Sequence, residues 1–250
     1  MTSQHVAGEN NVVFIRPAFD LVTEILNTKI SPEVVQYASK RLYMVDDLYG
    51  ERANKTELLS VFIRRIPIMV FAYSHGDEYS VIGPEVGQTV FDVGTAIWFN
   101  QKIVVINACL TGVRLAPALI DNGARAVLAY DDELILRVWS KNLEPLKGFK
   151  ECLNKPKILF DGASVNEAHQ QTLAEYEKWI EYWDEIDPTT ADILRHNRDH
   201  FKLYGNGESR IALSTWLFMG MTDIFAITWV VLATILKIVR LTKPLWKGYK

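Results

Sequence analysis

Two short segments of this 250-residue chain hold residue types that could make and break an acyl bond. The first is Ser74-His75-Gly76-Asp77, which follows the apolar run Ile68 to Tyr73; the second is Asn107-Ala108-Cys109-Leu110-Thr111-Gly112, which follows Ile103 to Ile106. A thiolate is a strong nucleophile, and an imidazole can take the thiol proton and return it to a leaving amine. Neither residue is persuasive alone, because a cysteine after a core strand is by default a small buried apolar group. As a pair they are stronger: strands consecutive in a parallel sheet are often neighbours, and both residues would then project from its C-terminal edge, where open α/β sheets place their ligand sites. The backbone N–H groups of Gly76 and Cys109 would be placed to stabilise an oxyanion.

The elements that must hold these residues are legible from hydrophobic period. Val12 to Ile15, Ile68 to Tyr73, Ile103 to Ile106 and Ala126 to Tyr130 are continuous apolar runs, as expected for parallel strands covered on both faces. Helices are expected over Phe19 to Leu26, from Pro32 (with Ser31 as N-cap) to about Tyr43, over Asn54 to Arg65 and over Leu115 to Asn122, which Gly123 ends. In the third of these, Leu58, Leu59, Phe62 and Ile63 form the expected apolar stripe. Ile158 to Phe160 reads as a strand, Val165 to Asp184 as a helix with Leu173, Tyr176, Ile180 and Trp183 on one face, and Phe201 to Tyr204 as the last strand.

The pair YSHGD and NACLTG resembles the His-Gly and Ala-Cys-x-x-Gly signatures of the clan CD cysteine peptidases, which include caspases, metacaspases, gingipains, separases and CHAT-domain proteases. Three flanking stretches extend the likeness. LAPALIDNGARAVLAYDDE is similar to the helix, turn and strand that follow the nucleophile in CHAT and gingipain proteins; KLYGNGESRI is similar to their terminal Tyr-Gly-Asp-Pro turn, with Asn206-Gly207 in place of Asp-Pro. DLYGERANKTELLS resembles the helix before the histidine strand. The resemblance spans roughly residues 10 to 213. It implies an α/β caspase-hemoglobinase fold, with a mostly parallel central sheet and helices on both faces, and cleavage of peptide bonds by a His75–Cys109 dyad without metal or organic cofactor. Metacaspases carry an acidic residue where Asn107 stands, so the S1 preference is open; Asn107, Asp77, Asp131 and Asp132 are the candidates to line a substrate pocket. Cys152 lies in FKECLNKPK, read as a polar loop, and His169, His196 and His200 form no recognisable zinc pattern.

Composition narrows the partners. Two cysteines exclude a disulfide framework, and the polar opening MTSQHVAGENN lacks the features of a secretory signal. The net charge is -3, and five basic residues but no acidic one follow position 236, which leaves an acidic body unlike a nucleic-acid binder. Residues 211–236 hold one ionisable side chain, Asp223; at about 1.5 Å per residue they would reach roughly 39 Å, beyond the approximately 30 Å hydrocarbon core of a bilayer. Trp246 and Tyr249 follow among the basic residues, a membrane-interface pattern. The expected organisation is therefore a peptidase domain over 1–210 and a C-terminal membrane helix with a basic tail over 211–250, the peptidase facing the cytoplasm. A protein or peptide substrate, membrane lipid and a regulatory partner or second copy are the expected partners, with the 165–184 helix as a docking candidate. Two other readings share these features: a catalytically silent CHAT-like membrane scaffold or signalling module, and a soluble α/β hydrolase whose last helix is a dimer interface.

Overall fold

The computed structural model describes residues 10–85, 87–137 and 144–211. Four apolar runs form the centre of a sheet. Strand β1 (Asn11–Arg16) pairs in parallel with β2 (Met44–Tyr49) on one side and β3 (Met69–Tyr73) on the other. Beyond β3 lie β6 (Ile103–Asn107), β7 (Ala126–Tyr130) and β8 (Phe201–Gly205), giving the order β2-β1-β3-β6-β7-β8. Within this sheet, among the described residues, β7–β8 is the one antiparallel pair. Strands β4 (Ser80–Ile82) and β5 (Thr89–Asp92) form a separate two-stranded hairpin.

Side chains alternate between two cores, as the period of two in a strand requires. Val12, Phe14, Met69, Phe71, Ile103, Val105, Ala126 and Leu128 face one core. Their neighbours Val13, Ile15, Val70, Ala72, Val104, Ile106, Val127 and Ala129 face the other. The first core is covered by helix α2 (Pro32–Lys40), α5 (Glu144–Asn154) and α6 (Val165–Asp184), the second by α3 (Lys55–Arg64) and α4 (Leu115–Asp121). Each fully buried Val, Leu, Ile or Phe contributes about 1.5–3 kcal/mol, so a sheet covered on both faces is the main stabiliser. A third cluster, with Phe149, Cys152, Tyr176, Trp183 and Leu194, joins α5 and α6 to α7 (Pro188–His200).

Several expectations are corrected. Ile158 to Phe160 lies in a 3-10 segment, Lys155–Asp161, closed by Gly162 in the left-handed region, and not in a strand. The buried face of α3 is Leu58, Val61 and part of Phe62; Leu59 and Ile63 are exposed. Ser31 makes no side-chain cap, because its hydroxyl is bonded to Asn27 and Arg16 and because α2 continues directly from a π turn, Leu26–Ile30. Cys152 is not in a loop but is fully buried in α5. The expected membrane span falls almost wholly outside the described residues; among those described, no helix is long and apolar enough to cross a membrane.

Candidate active site

Strand register places the two reactive side chains. Tyr73 at the end of β3 is paired with Asn107 at the end of β6, so His75 and Cys109, two residues further along each strand, leave the same edge at the same level. Both line one cavity of about 260 Å³ together with Val22, Leu26, Ser74, Glu133, Leu134, Ile135 and Leu136. Two larger hollows, of about 800 and 660 Å³, contain neither residue.

The local chain is built to hold them. Ser74 donates its backbone N–H to Asn107 O (3.2 Å) and its hydroxyl to Ile82 O (2.7 Å). Asn27 donates to Tyr73 O at 2.9 Å, tying the π turn to the last residue of β3. An added Cβ on Gly76 would stand 2.8 Å from Cys109 O, 2.8 Å from Thr111 Cγ2 and 2.9 Å from Ala108 Cβ. Only glycine fits there. Gly112 makes a similar approach to the end of β7, where its missing Cβ would lie 2.9 Å from Asp131 N, and its N–H donates to Tyr130 O at 2.7 Å. Leu110, immediately after the thiol, has φ 59°, a left-handed conformation that stores strain at this turn. The N–H of Gly76 donates to no other group among the described residues.

His75 has a partner that the sequence reading did not find. Asp20 caps α1 (Leu21–Ile25): its Oδ1 accepts from Thr23 N–H at 2.8 Å, and the Thr23 hydroxyl accepts in return from Asp20 N–H. Its other oxygen, Oδ2, lies 2.7 Å from His75 Nε2. A carboxylate only accepts, so Nε2 carries the hydrogen and Nδ1 is left as the basic nitrogen. Burial alone would raise the Asp20 carboxyl, but the Thr23 and His75 hydrogen bonds outweigh it and hold it below the usual carboxylate range. Asp20 and His75 are 55 positions apart, and the only sequence signal was the Asp-x-x-Thr cap.

The surroundings of the Cys109 thiol disfavour its thiolate. Burial pushes it above the ordinary thiol value, the N–H of Leu134 pulls against that, and the charges of Glu133 and Asp132 raise it further. Leu134 N lies 3.4 Å from Sγ, and Sγ lies 3.8 Å from Leu134 O, so the 132–136 segment caps the thiol. Deeper burial pushes the Cys152 thiol well above its ordinary value, and that side chain has no access to solvent.

The acidic pocket candidates are not gathered here. Asn107 is buried on the Val105 face of β6, its amide without a hydrogen-bond partner among the described residues, and it does not line the cavity. Asp77 Oδ1 accepts from Tyr79 N and Ser80 Oγ and shapes the turn into β4. Asp131 lies 2.8 Å from His200 Nδ1 and Asp132 Oδ2 lies 3.6 Å from His200 Nε2, facing α7. His169 Nε2 bonds to Phe201 O.

Set beside solved structures, this architecture has clear counterparts. It superposes on the Arg-specific cysteine proteinase gingipain R with a TM-score of 0.55 and 11% identity, covering 81% of this chain and 47% of that one. The fold is that of gingipain R. The complex of Porphyromonas gingivalis RgpB pro- and mature domains matches with a TM-score of 0.51, 12% identity and 80% of this chain. A further structure, described as a protease, matches with a TM-score of 0.56, 12% identity and 82% of this chain. The chain spans about half the length of each, 47% to 48%. No protein-family model and no curated protein matches the sequence. The likeness thus extends to the fold, with a mostly parallel sheet as expected.

Proposed function

We propose that this chain is a caspase-like cysteine endopeptidase in which Cys109 is the nucleophile and His75 the general base. The observation that carries this reading is the placement of both side chains on one cavity, at the shared edge of adjacent parallel strands, in a gingipain-like fold. His75 Nδ1 takes the thiol proton as sulfur attacks the scissile carbonyl, and returns it to the leaving amine; water then releases the acyl group from Cys109. Asp20 fixes the ring and stabilises the imidazolium that forms. The N–H groups of Gly76 and Cys109 are the proposed oxyanion donors.

The raised thiol and its cap by Leu134 support a requirement for a trigger: displacement of the 132–136 segment by substrate, by a partner protein or by a second copy of the chain. One of the structural counterparts is a complex of pro- and mature domains, which favours a protein partner of this kind. The apolar composition of residues 211–236 supports tethering to a membrane through that segment, with the peptidase on the cytoplasmic side.

A peptide-library cleavage assay on the wild type and on Cys109→Ala tests the reading. Cleavage by the wild type alone is expected. Cleavage that survives the substitution would remove the mechanism, and none in either protein would favour the silent scaffold.

A further inference from the structure

Apart from the proposed dyad, three side chains that share a chemistry converge where the end of β7 meets the end of α7. His196 and His200 are four residues apart on α7 and therefore share one face. Asp132 comes to them from the loop after β7, and one ligand atom from each of the three lies within 4.8 Å of the others. We propose that Asp132, His196 and His200 bind a divalent transition-metal ion, with Zn²⁺ the best match to the donor set.

The hydrogen bonds around the two rings carry the inference. His196 Nε2 is 2.9 Å from Glu133 O, and His200 Nδ1 is 2.8 Å from Asp131 Oδ1. Both partners only accept, so the bonded nitrogen carries the hydrogen, and Nδ1 of His196 and Nε2 of His200 keep their lone pairs. A ligating histidine whose second nitrogen donates to a carbonyl or carboxylate is the usual supporting arrangement at a zinc site. Distances agree. Asp132 Oδ2 stands 3.6 Å from His200 Nε2, too far for a hydrogen bond. Two ligands each about 2.1 Å from a tetrahedral ion are separated by about 3.4 Å.

The scaffold is fixed independently of any ion. Asp131 N–H donates to His200 O at 3.0 Å, and Tyr130 pairs with Phe201 across β7 and β8. All three ligands are partly buried, which limits competition from water. Two imidazoles with one carboxylate suit zinc, copper or nickel better than calcium or magnesium, which prefer all-oxygen sets. Three protein ligands leave a fourth position to water. Asp132 also begins the segment whose Leu134 caps Cys109, so a bound ion would restrain that cap.

The test uses the full-length, untagged chain with Cys109→Ser, which removes the accessible thiol as a competing ligand. Zn²⁺ is titrated by calorimetry and Co²⁺ by visible absorption, with circular dichroism to confirm folding. One ion per chain is expected, with a Co²⁺ d–d band; His196→Asn and Asp132→Asn should abolish both, and Asp131→Asn should weaken binding by about 10- to 100-fold. Absence of saturable binding, or binding unchanged in folded Asp132→Asn, would overturn the proposal. Asp132 has a partly exposed side chain in a loop, so it serves if His196→Asn does not fold.

Discussion

Asp20 uses its two carboxylate oxygens for two tasks: Oδ1 caps helix α1 through Thr23, and Oδ2 lies 2.7 Å from Nε2 of His75. The helix cap therefore fixes the orientation of the proposed general base. Because asparagine caps a helix as well as aspartate does, substitution can separate the two tasks.

Asp20→Asn should leave the thermal midpoint near that of the wild type while lowering kcat, since it removes the charge that stabilises the imidazolium. A fall of about 10²-fold would lie within the 10²–10⁴ that general-base catalysis supplies. Asp20→Ala loses cap and charge together and should also cost about 1 kcal/mol of stability by denaturant unfolding. Equal kcat in Asp20→Asn and wild type would show that the carboxylate only caps.

The environment of Cys109 sets a pH dependence. The folded thiol titrates above its ordinary value, so the rate of alkylation by iodoacetamide should rise with pH to a midpoint higher than that of a thiol in a model peptide. Glu133 is one cause of that elevation, and its charge disfavours the thiolate. Glu133→Gln should move the midpoint down. An upward shift would show that the segment acts on the thiol through packing alone.

Much of this architecture is written in the sequence as period and punctuation. The runs around Phe14, Phe71, Val105 and Leu128 are apolar at every position because both faces of the sheet are covered, and this identified the four central strands. β2 was missed for the opposite reason: MVDDLY is an edge strand whose Asp47 is held by Arg16 from β1, so its polarity resembles that of a loop. The second half of α5, Phe149 to Asn154, resembles a polar loop in sequence because lysine and glutamate flank the Phe149, Cys152 and Leu153 face, which only the tertiary clusters reveal. Within the site, His75, Gly76 and Cys109 were legible because each follows a strong strand directly. Asp20 and the Asp132–His196–His200 group were not, since their members come from distant segments and meet only through the topology of the sheet.

Gly76 offers a steric test of how closely the two motifs pack. A methyl group there would stand within 3 Å of Cys109 O, Thr111 Cγ2 and Ala108 Cβ, all three in the turn that presents the thiol. Gly76→Ala should lower stability by about 1–3 kcal/mol, as overpacking does, and reduce cleavage by displacing that turn. Denaturant unfolding and the peptide assay measure the two effects separately.

Arg16 tests the frame beneath the site. Its nearly buried guanidinium bonds to Asp47 Oδ2 (2.6 Å), Ser31 Oγ (2.8 Å) and Asn27 O (2.5 Å), and Asn27 in turn holds Tyr73 O. Arg16→Met should cost about 3 kcal/mol, because it leaves Asp47 partly buried without its cation. Arg16→Met, Asp47→Leu should recover part of the loss by urea unfolding.

The dyad itself is tested most directly by comparing cleavage rates of one peptide substrate by the wild type, His75→Gln, Cys109→Ala and the double variant. Residues that act as a unit give non-additive losses. We expect either single substitution to abolish most of the activity, with the double variant no slower than Cys109→Ala. Cleavage retained by Cys109→Ala, or losses that simply multiply in the double variant, would contradict a shared role for His75 and Cys109.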